Sequence, residues 1–175
     1  MIESKLQSAI RDIPDFPKPG ILFKDITPIL KNPKLCEEIV DAFEERLKGE
    51  KIDVIAGIES RGFLFGLMLA GRLGIPFVPI RKQGKLPFSK IQQPCELEYG
   101  SAILELHTDA ILEGQRVLIH DDLLATGGTV NAATRLVQEL KGVVAGYAFV
   151  ISLDFLNGKD TLKGNSDKII SLISY

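Results

Sequence analysis

Residues 117–130, Val-Leu-Ile-His-Asp-Asp-Leu-Leu-Ala-Thr-Gly-Gly-Thr-Val, restrict the fold more than any other stretch of this chain. An apolar strand runs into two carboxylates, and a glycine-rich turn then opens a helix. A buried strand of this kind brings Asp121 and Asp122 to the carboxyl edge of a parallel sheet, where ligands of open α/β sheets collect. Beyond them Ala125, Thr126, Gly127, Gly128 and Thr129 offer backbone N–H groups and two hydroxyls to an anion, aided by the dipole of the following helix. The two parts suit opposite ends of one molecule. Carboxylates accept hydrogen bonds from vicinal sugar hydroxyls and tolerate Mg2+, whereas the Thr-Gly-Gly-Thr nest suits a phosphate dianion. An isolated Asp-Asp or Gly-Gly would be a strand end or an ordinary capped turn, but here both lie within nine positions between a strand and a helix. The chain contains neither Gly-x-x-x-x-Gly-Lys-Ser/Thr nor Gly-x-Gly-x-x-Gly after a strand, so P-loop and dinucleotide sites lose their main support.

Apolar, β-branched runs at 53–58, 75–80, 117–120 and 143–153 predict strands, and helical periodicity fills most of the gaps, at 35–48, 62–73 and 130–140. Strands alternating with helices imply an α/β chain with a parallel sheet covered on both faces. A length of 175 residues, 45% of them hydrophobic, suits one domain over 1–175. Two stretches break the pattern and read as long irregular segments: 13–31, dense in proline, and 81–100, which mixes charges with Gly84, Pro87 and Pro94. The net charge of −2 argues against nucleic acid or an anionic membrane as partner. Cys36 and Cys95 fit no metal-ligand spacing and read as free thiols of a reducing, cytoplasmic setting; His107 and His120 stand alone. No basic start precedes an apolar stretch, and the longest apolar runs are too short to span a bilayer.

Three further constellations carry chemistry. Gly57-Ile58-Glu59-Ser60-Arg61-Gly62 places a second turn between a strand and a helix, and this one carries a guanidinium that can grip a phosphate together with nearby amides. It is not a nucleophile elbow, because Ile58 stands where glycine would be required. Arg81, Lys82 and Lys85 form a basic loop just beyond the 75–80 strand, able to neutralise a leaving diphosphate and equally readable as a solvated surface loop. Asp15-Phe16-Pro17-Lys18-Pro19-Gly20-Ile21-Leu22-Phe23-Lys24-Asp25-Ile26-Thr27-Pro28 reads on physical grounds as a proline-stiffened arm packing Phe16, Leu22 and Phe23 onto the core. Nothing in its periodicity marks a base pocket.

The 117–130 run closely resembles the 5-phosphoribosyl-1-pyrophosphate signature of the type I phosphoribosyltransferases. With Glu-Ser-Arg-Gly-Phe at 59–63, Arg-Lys-Gln-Gly-Lys-Leu-Pro at 81–87 and Leu-Glu-Tyr-Gly at 97–100 ahead of it, the chain is similar to the adenine-specific branch of that family across 16–153. The resemblance implies a central, mostly parallel sheet flanked by helices, with an N-terminal hood over about 13–31 and a mobile lid over about 82–100. It implies transfer of the 5-phosphoribosyl group from 5-phosphoribosyl-1-pyrophosphate to adenine, giving AMP and pyrophosphate in purine salvage. By the same resemblance Asp121, Asp122 and Ala125 to Thr129 hold the ribose and 5'-phosphate, and Ser60, Arg61, Lys82 and Lys85 the pyrophosphate. Leu22, Phe23, Lys24, Tyr99 and Leu153 surround the adenine, with Lys24 standing where many members have arginine. Glu98, Arg61, Lys82 and Lys85 are the implied catalytic group, Mg2+ is carried mainly by substrate oxygens near Asp121 and Asp122, Glu59-Ser60 is a cis peptide, and the assembly is a homodimer. The competing readings are an enzyme for xanthine, guanine or orotate, a nucleic-acid-binding regulator on the same fold, and a non-catalytic phosphate binder. The hood and lid motifs favour adenine, and the chain shows neither a DNA-binding element nor a basic face.

Overall fold

Period-two alternation in three buried strands decides the architecture. Strands β3 (Val54–Ile58), β7 (Arg116–Leu124) and β8 (Val143–Ser152) lie side by side and parallel, with Gly57 opposite His120 and His120 opposite Ala148. Ile55, Leu118 and Ala148 face one side of the sheet, while Val54, Ala56, Val117, Ile119, Tyr147 and Phe149 face the other. Each fully buried aliphatic or aromatic side chain stabilises the fold by about 1.5–3 kcal/mol, so both faces must be covered. The computed structural model describes residues 1–97 and 100–175. Helices α1 (Ile2–Ala9), α3 (Pro33–Arg46) and α4 (Gly62–Leu73) cover the first face; α5 (Gly128–Glu139) covers the second.

The sheet has seven strands in the order β5-β6-β4-β3-β7-β8-β9, where β4 is Phe77–Lys82, β5 Lys90–Leu97, β6 Gly100–His107 and β9 Ile169–Ser174. The five strands from β4 to β9 run parallel, and β5 and β6 add an antiparallel edge. A separate hairpin, β1 (Arg11–Pro14) with β2 (Leu22–Asp25), precedes the short helix α2 (Thr27–Leu30). Arg72 of α4 reaches Glu37, Asp41 and Glu44 of α3, tying the two helices of one layer together.

The structure shifts several sequence boundaries for identifiable reasons. Helix α3 starts at Pro33 instead of 35 because Asn32 caps it, its side chain accepting from Leu35 N at 3.1 Å. Strand β7 continues to Leu124, held by pairing with β8 through Ser152, so Asp121 and Asp122 sit inside the strand and not past its end. Strand β4 likewise runs to Lys82, which puts Arg81 and Lys82 on the sheet; they pair with Glu105 and Leu104 of β6.

The two stretches expected to be irregular are largely ordered hairpins. Residues 90–97 form an edge strand whose inward positions, Ile91, Gln93 and Cys95, alternate with exposed Gln92, Pro94 and Glu96. Two glutamines and a proline mask that alternation in the sequence, and an edge strand tolerates the proline because one side needs no ladder bond. The 13–31 stretch supplies the end of one strand and all of its partner: Arg11–Pro14 and Leu22–Asp25 pair across a turn in which Asp15 adopts φ 57° and accepts from Gly20 N at 2.7 Å.

Candidate active site

Two strand-to-helix turns open at the carboxyl ends of neighbouring strands, one after β3 and one after β7. Glycines decide how close they come. A Cβ on Gly62 would lie 2.8 Å from the His120 carbonyl oxygen and 3.0 Å from Asp121 Oδ1, and one on Gly66 would lie 3.2 Å from the His120 ring. Helix α4 therefore rests directly on β7, which brings Arg61, at its start, onto the acid pair.

The second turn is a backbone cradle. Gly127 takes φ +90° at the N-cap of α5, and no side chain caps that helix. The amides of its first turn are thus not satisfied by a capping group, the arrangement that attracts an anion. A Cβ on Gly128 would stand 2.0 Å from the Glu96 carbonyl oxygen, so the end of β5 presses on the cradle. A cavity of about 360 Å3 is lined by Ala125, Thr126, Gly127, Gly128 and Thr129 together with Arg61, Glu96, Asp121 and Asp122.

A smaller cavity of about 160 Å3 adjoins it. It shares Arg61, Asp121, Asp122 and Thr129, and adds Glu59, Ser60, Lys82 and Cys95. Arg61 Nε lies 2.9 Å from Asp122 Oδ2, yet that buried oxygen has no aligned hydrogen-bond partner. Burial, and then the neighbouring Asp122 charge, hold the Asp121 carboxyl well above the usual carboxylate range. Burial also raises Asp122, opposed by the Arg61 guanidinium. Among the described residues no group of three or more His, Cys, Asp or Glu side chains is placed to bind a metal alone. The adjoining Asp121 and Asp122 carboxyls, one of them engaged by Arg61, are too few to hold a metal alone and fit a Mg2+ that would bring most of its ligands from phosphate and water.

Glu59 organises the basic loop. Its carboxylate, 5% exposed, accepts from Lys82 N at 2.9 Å, pairs with Arg81 Nε at 3.2 Å, and receives the Lys85 ammonium. Burial pushes this carboxyl up, and the Lys85, Lys82 and Arg81 contacts outweigh it and leave the group below its ordinary value. Lys82 lines the smaller cavity, whereas Lys85 lies on Glu59 and lines neither cavity. The Glu59–Ser60 peptide is cis, as the resemblance implies.

The β1–β2 hairpin meets the site through Phe23. The Arg61 Cζ atom sits 4.9 Å from the Phe23 ring centre, and Phe16 packs edge-on against the same ring at 5.1 Å. Lys24 is 6% exposed; its ammonium lies 2.7 Å from Asp12 Oδ1 and 3.7 Å from the Tyr175 ring centre. The side chain thus braces the hairpin against the last residues of the sheet. Leu22 is half exposed, and Leu153 packs at the margin of the α1–α3–α4 core, its N–H bonded to the Leu124 carbonyl at 2.9 Å. Glu98 and Tyr99 lie outside the described residues. Sequence reasoning missed Glu59 as the hub of the basic loop, and missed Glu96 and Cys95 as lining residues. Burial of a lone glutamate, the inward register of Cys95 and the approach of the Glu96 carbonyl to Gly128 leave no local signal.

The family model of the phosphoribosyl transferase domain matches residues 25–170. Adenine phosphoribosyltransferase of Cytophaga hutchinsonii is 51% identical over 175 residues, covering 100% of this chain and 97% of that protein. The crystal structure of adenine phosphoribosyltransferase from Thermoanaerobacter pseudethanolicus superposes with a TM-score of 0.95 at 51% identity, covering 100% of both chains. The Saccharomyces cerevisiae adenine phosphoribosyltransferase, crystallised with an imino-altritol bisphosphate and adenine, superposes with a TM-score of 0.92 at 44% identity over 98% of both.

Proposed function

The chain belongs to the phosphoribosyl transferase family, and from that premise we infer that it makes AMP and pyrophosphate from adenine and 5-phosphoribosyl-1-pyrophosphate. It is a pentosyltransferase of purine salvage on the type I phosphoribosyltransferase fold, with a mostly parallel central sheet flanked by helices. The observation that carries the reading is the placement of two anion turns on adjacent strands with an acid pair between them. That spacing suits a sugar carrying a phosphate at one end and a diphosphate at the other.

On this reading the amides of Ala125 to Thr129 hold the 5'-phosphate, and the carboxylates of Asp121 and Asp122 hold the ribose hydroxyls. The remote binding fixes C1' for attack. The C1'–O bond breaks as positive character builds on the sugar, and Ser60, Arg61 and Lys82 take up charge on the departing pyrophosphate. Lys85 acts at second hand, released from Glu59 or steering the loop through it. Adenine N9 then bonds to C1' and loses its proton, for which Glu98 is the assigned group. Asp121 and Asp122 would flank a Mg2+ carried by the substrate, and the ion would supply further neutralisation of the leaving group.

We assign residues 13–31 as a hood over the base and 82–100 as a lid, within one domain spanning 1–175. Phe23, beside Arg61, forms the base wall with Leu22, Leu153 and Tyr99. Because the Lys24 ammonium is engaged by Asp12 and Tyr175, this position recognises adenine through its backbone, and arginine is not required there. A carbonyl facing the adenine amino group would face another acceptor in hypoxanthine and reject it. A homodimer and a cytoplasmic setting complete the reading, supported by exposed Leu64 and Leu67 on α4 and by two unpaired, buried thiols. No helix is long and apolar enough to cross a membrane among the described residues.

The test is nucleotide formation from 5-phosphoribosyl-1-pyrophosphate and Mg2+ with adenine, hypoxanthine, guanine, xanthine and orotate in parallel. AMP from adenine alone, lost in Asp122→Ala, is the expected result. Turnover of another base instead would overturn the hood assignment, and no turnover with any base would overturn the enzyme reading. Sedimentation at working concentration tests the dimer.

A further inference from the structure

Two short 3-10 turns follow β8, Asp154–Leu156 and Gly158–Thr161. Neither carries a residue assigned to substrate, and no motif in the sequence marks them. Yet the second is driven into the back of the 125–129 cradle. A Cβ on Gly158 would lie 2.1 Å from the Ala125 carbonyl oxygen and 3.2 Å from Gly127 N. A Cβ on Gly127 would lie 2.3 Å from Thr161 Oγ1 and 3.1 Å from the Gly158 carbonyl oxygen. Gly158 has no left-handed φ, so glycine is required there by space and not by backbone conformation.

A single hydroxyl ties the pieces together. Thr161 Oγ1 donates to the Gly158 carbonyl at 2.8 Å and accepts from Asn131 Nδ2 at 3.0 Å. Asn131 N in turn donates to the Gly127 carbonyl at 2.8 Å in the first turn of α5. Behind the turn, Leu162 is fully buried in the α5 side of the core, so the turn has a rigid backing. The cradle is therefore squeezed from two sides, by the Glu96 carbonyl against Gly128 and by Gly158 against Ala125.

We infer that the 158–161 turn is the seat that shapes the 5'-phosphate cradle, with Gly158 and Thr161 as positioning residues for the sugar-phosphate end of the substrate. The inference rests on the reading of Ala125 to Thr129 as the phosphate site. A nest of amides binds an anion only if its N–H vectors converge, and displacement by about 1 Å can cost about a hundredfold in a positioned site. The diphosphate end, built on Arg61 and Lys82, does not touch this turn and should not respond to it.

The experiment measures binding of ribose 5-phosphate and, separately, of pyrophosphate with Mg2+, by calorimetry on the full chain. The variants are Gly158→Ala, Thr161→Val, Thr161→Ser and Gly128→Ala. Gly158→Ala should weaken ribose 5-phosphate by about a hundredfold and leave pyrophosphate unchanged. Thr161→Val should weaken it by about tenfold, the scale of one or two lost hydrogen bonds, and Thr161→Ser should restore it. If Gly158→Ala does not fold, the Thr161 pair decides alone. Equal losses for both probes, or no rescue by serine, would overturn the inference as mere packing. If Gly128→Ala weakens ribose 5-phosphate but neither Gly158→Ala nor Thr161→Val does, the seat is wrong and the cradle reading stands. If Gly128→Ala also leaves it unchanged, the cradle reading falls and takes the inference with it.

Discussion

The two strand-to-helix turns have the same topology and offer opposite chemistry. Both helices start without a capping side chain, but after β7 the chain presents backbone: Gly127 in a left-handed conformation and Gly128 against a carbonyl. After β3 it presents side chains: Arg61 on Asp122 and Phe23, and a buried Glu59 gathering Arg81, Lys82 and Lys85. Fixed amides suit a group whose charge stays the same through the reaction. Full positive charges held in place suit one whose charge grows as it leaves. The same topology sets both turns at one sheet edge, and the residues of each turn decide whether it offers fixed amides or full charges.

The comparison breaks most readily at Arg61. Arg61→Ala should lower kcat/KM by about 10²–10³-fold with folding retained, and Arg61→Lys should not restore it, because a point charge cannot lie both on a carboxylate and flat over a ring. Steady-state kinetics with adenine decides; a near-wild-type Ala variant would make this turn structural. Gly128→Ala tests the backbone side. It should cost about a hundredfold, chiefly in KM for 5-phosphoribosyl-1-pyrophosphate, since a Cβ there meets a main-chain carbonyl that cannot rotate away.

Beneath both turns lies His120, fully buried, edge-on to Phe43 at 5.4 Å and in contact range of Gly66. Burial pushes its imidazole down to about 4, below the unfolded value of 6.5. The unfolded chain therefore binds a proton that the folded one refuses between those values. Stability on this account is complete above the unfolded value and falls as pH drops toward about 4. Near pH 5 the loss is about 2 kcal/mol. Denaturant unfolding at neutral pH and near pH 5 should show this drop in the wild type and a smaller one in His120→Phe. The same drop in both would exclude the histidine as its source.

Glu59→Gln sharpens the contrast with the smallest effect. The amide keeps an acceptor for Lys82 N but loses the charge that holds Lys85 and Arg81, so kcat/KM should fall by about tenfold while ribose 5-phosphate binding is untouched. Weakened ribose 5-phosphate binding would show that the two turns are not independent.

Legibility followed the range of the interactions. The 117–130 run announced the cradle because its glycines, hydroxyls and acids are contiguous, and the long helices and central strands were plain from periodicity. Strand β5 was not, since Gln92, Gln93 and Pro94 hide an alternation that only pairing with β6 makes real. A cation in a loop shows no partner in the sequence, and the Glu59 that receives Lys85 lies 26 residues away. The partners of Lys24, Asp12 and Tyr175, are equally invisible in the sequence.

The amino-acid order alone carries the α/β succession, the two strand-to-helix turns and, through ordered motifs, the family and its chemistry, because each depends on residues close together along the chain. Only the tertiary structure decided that α4 rests on β7 through Gly62 and Gly66, that Glu59 gathers the basic loop, and that Gly158 wedges the cradle from behind. Those are contacts between segments distant in sequence. Their physical cause, excluded volume and the pairing of buried charge, exists only once the segments share one space.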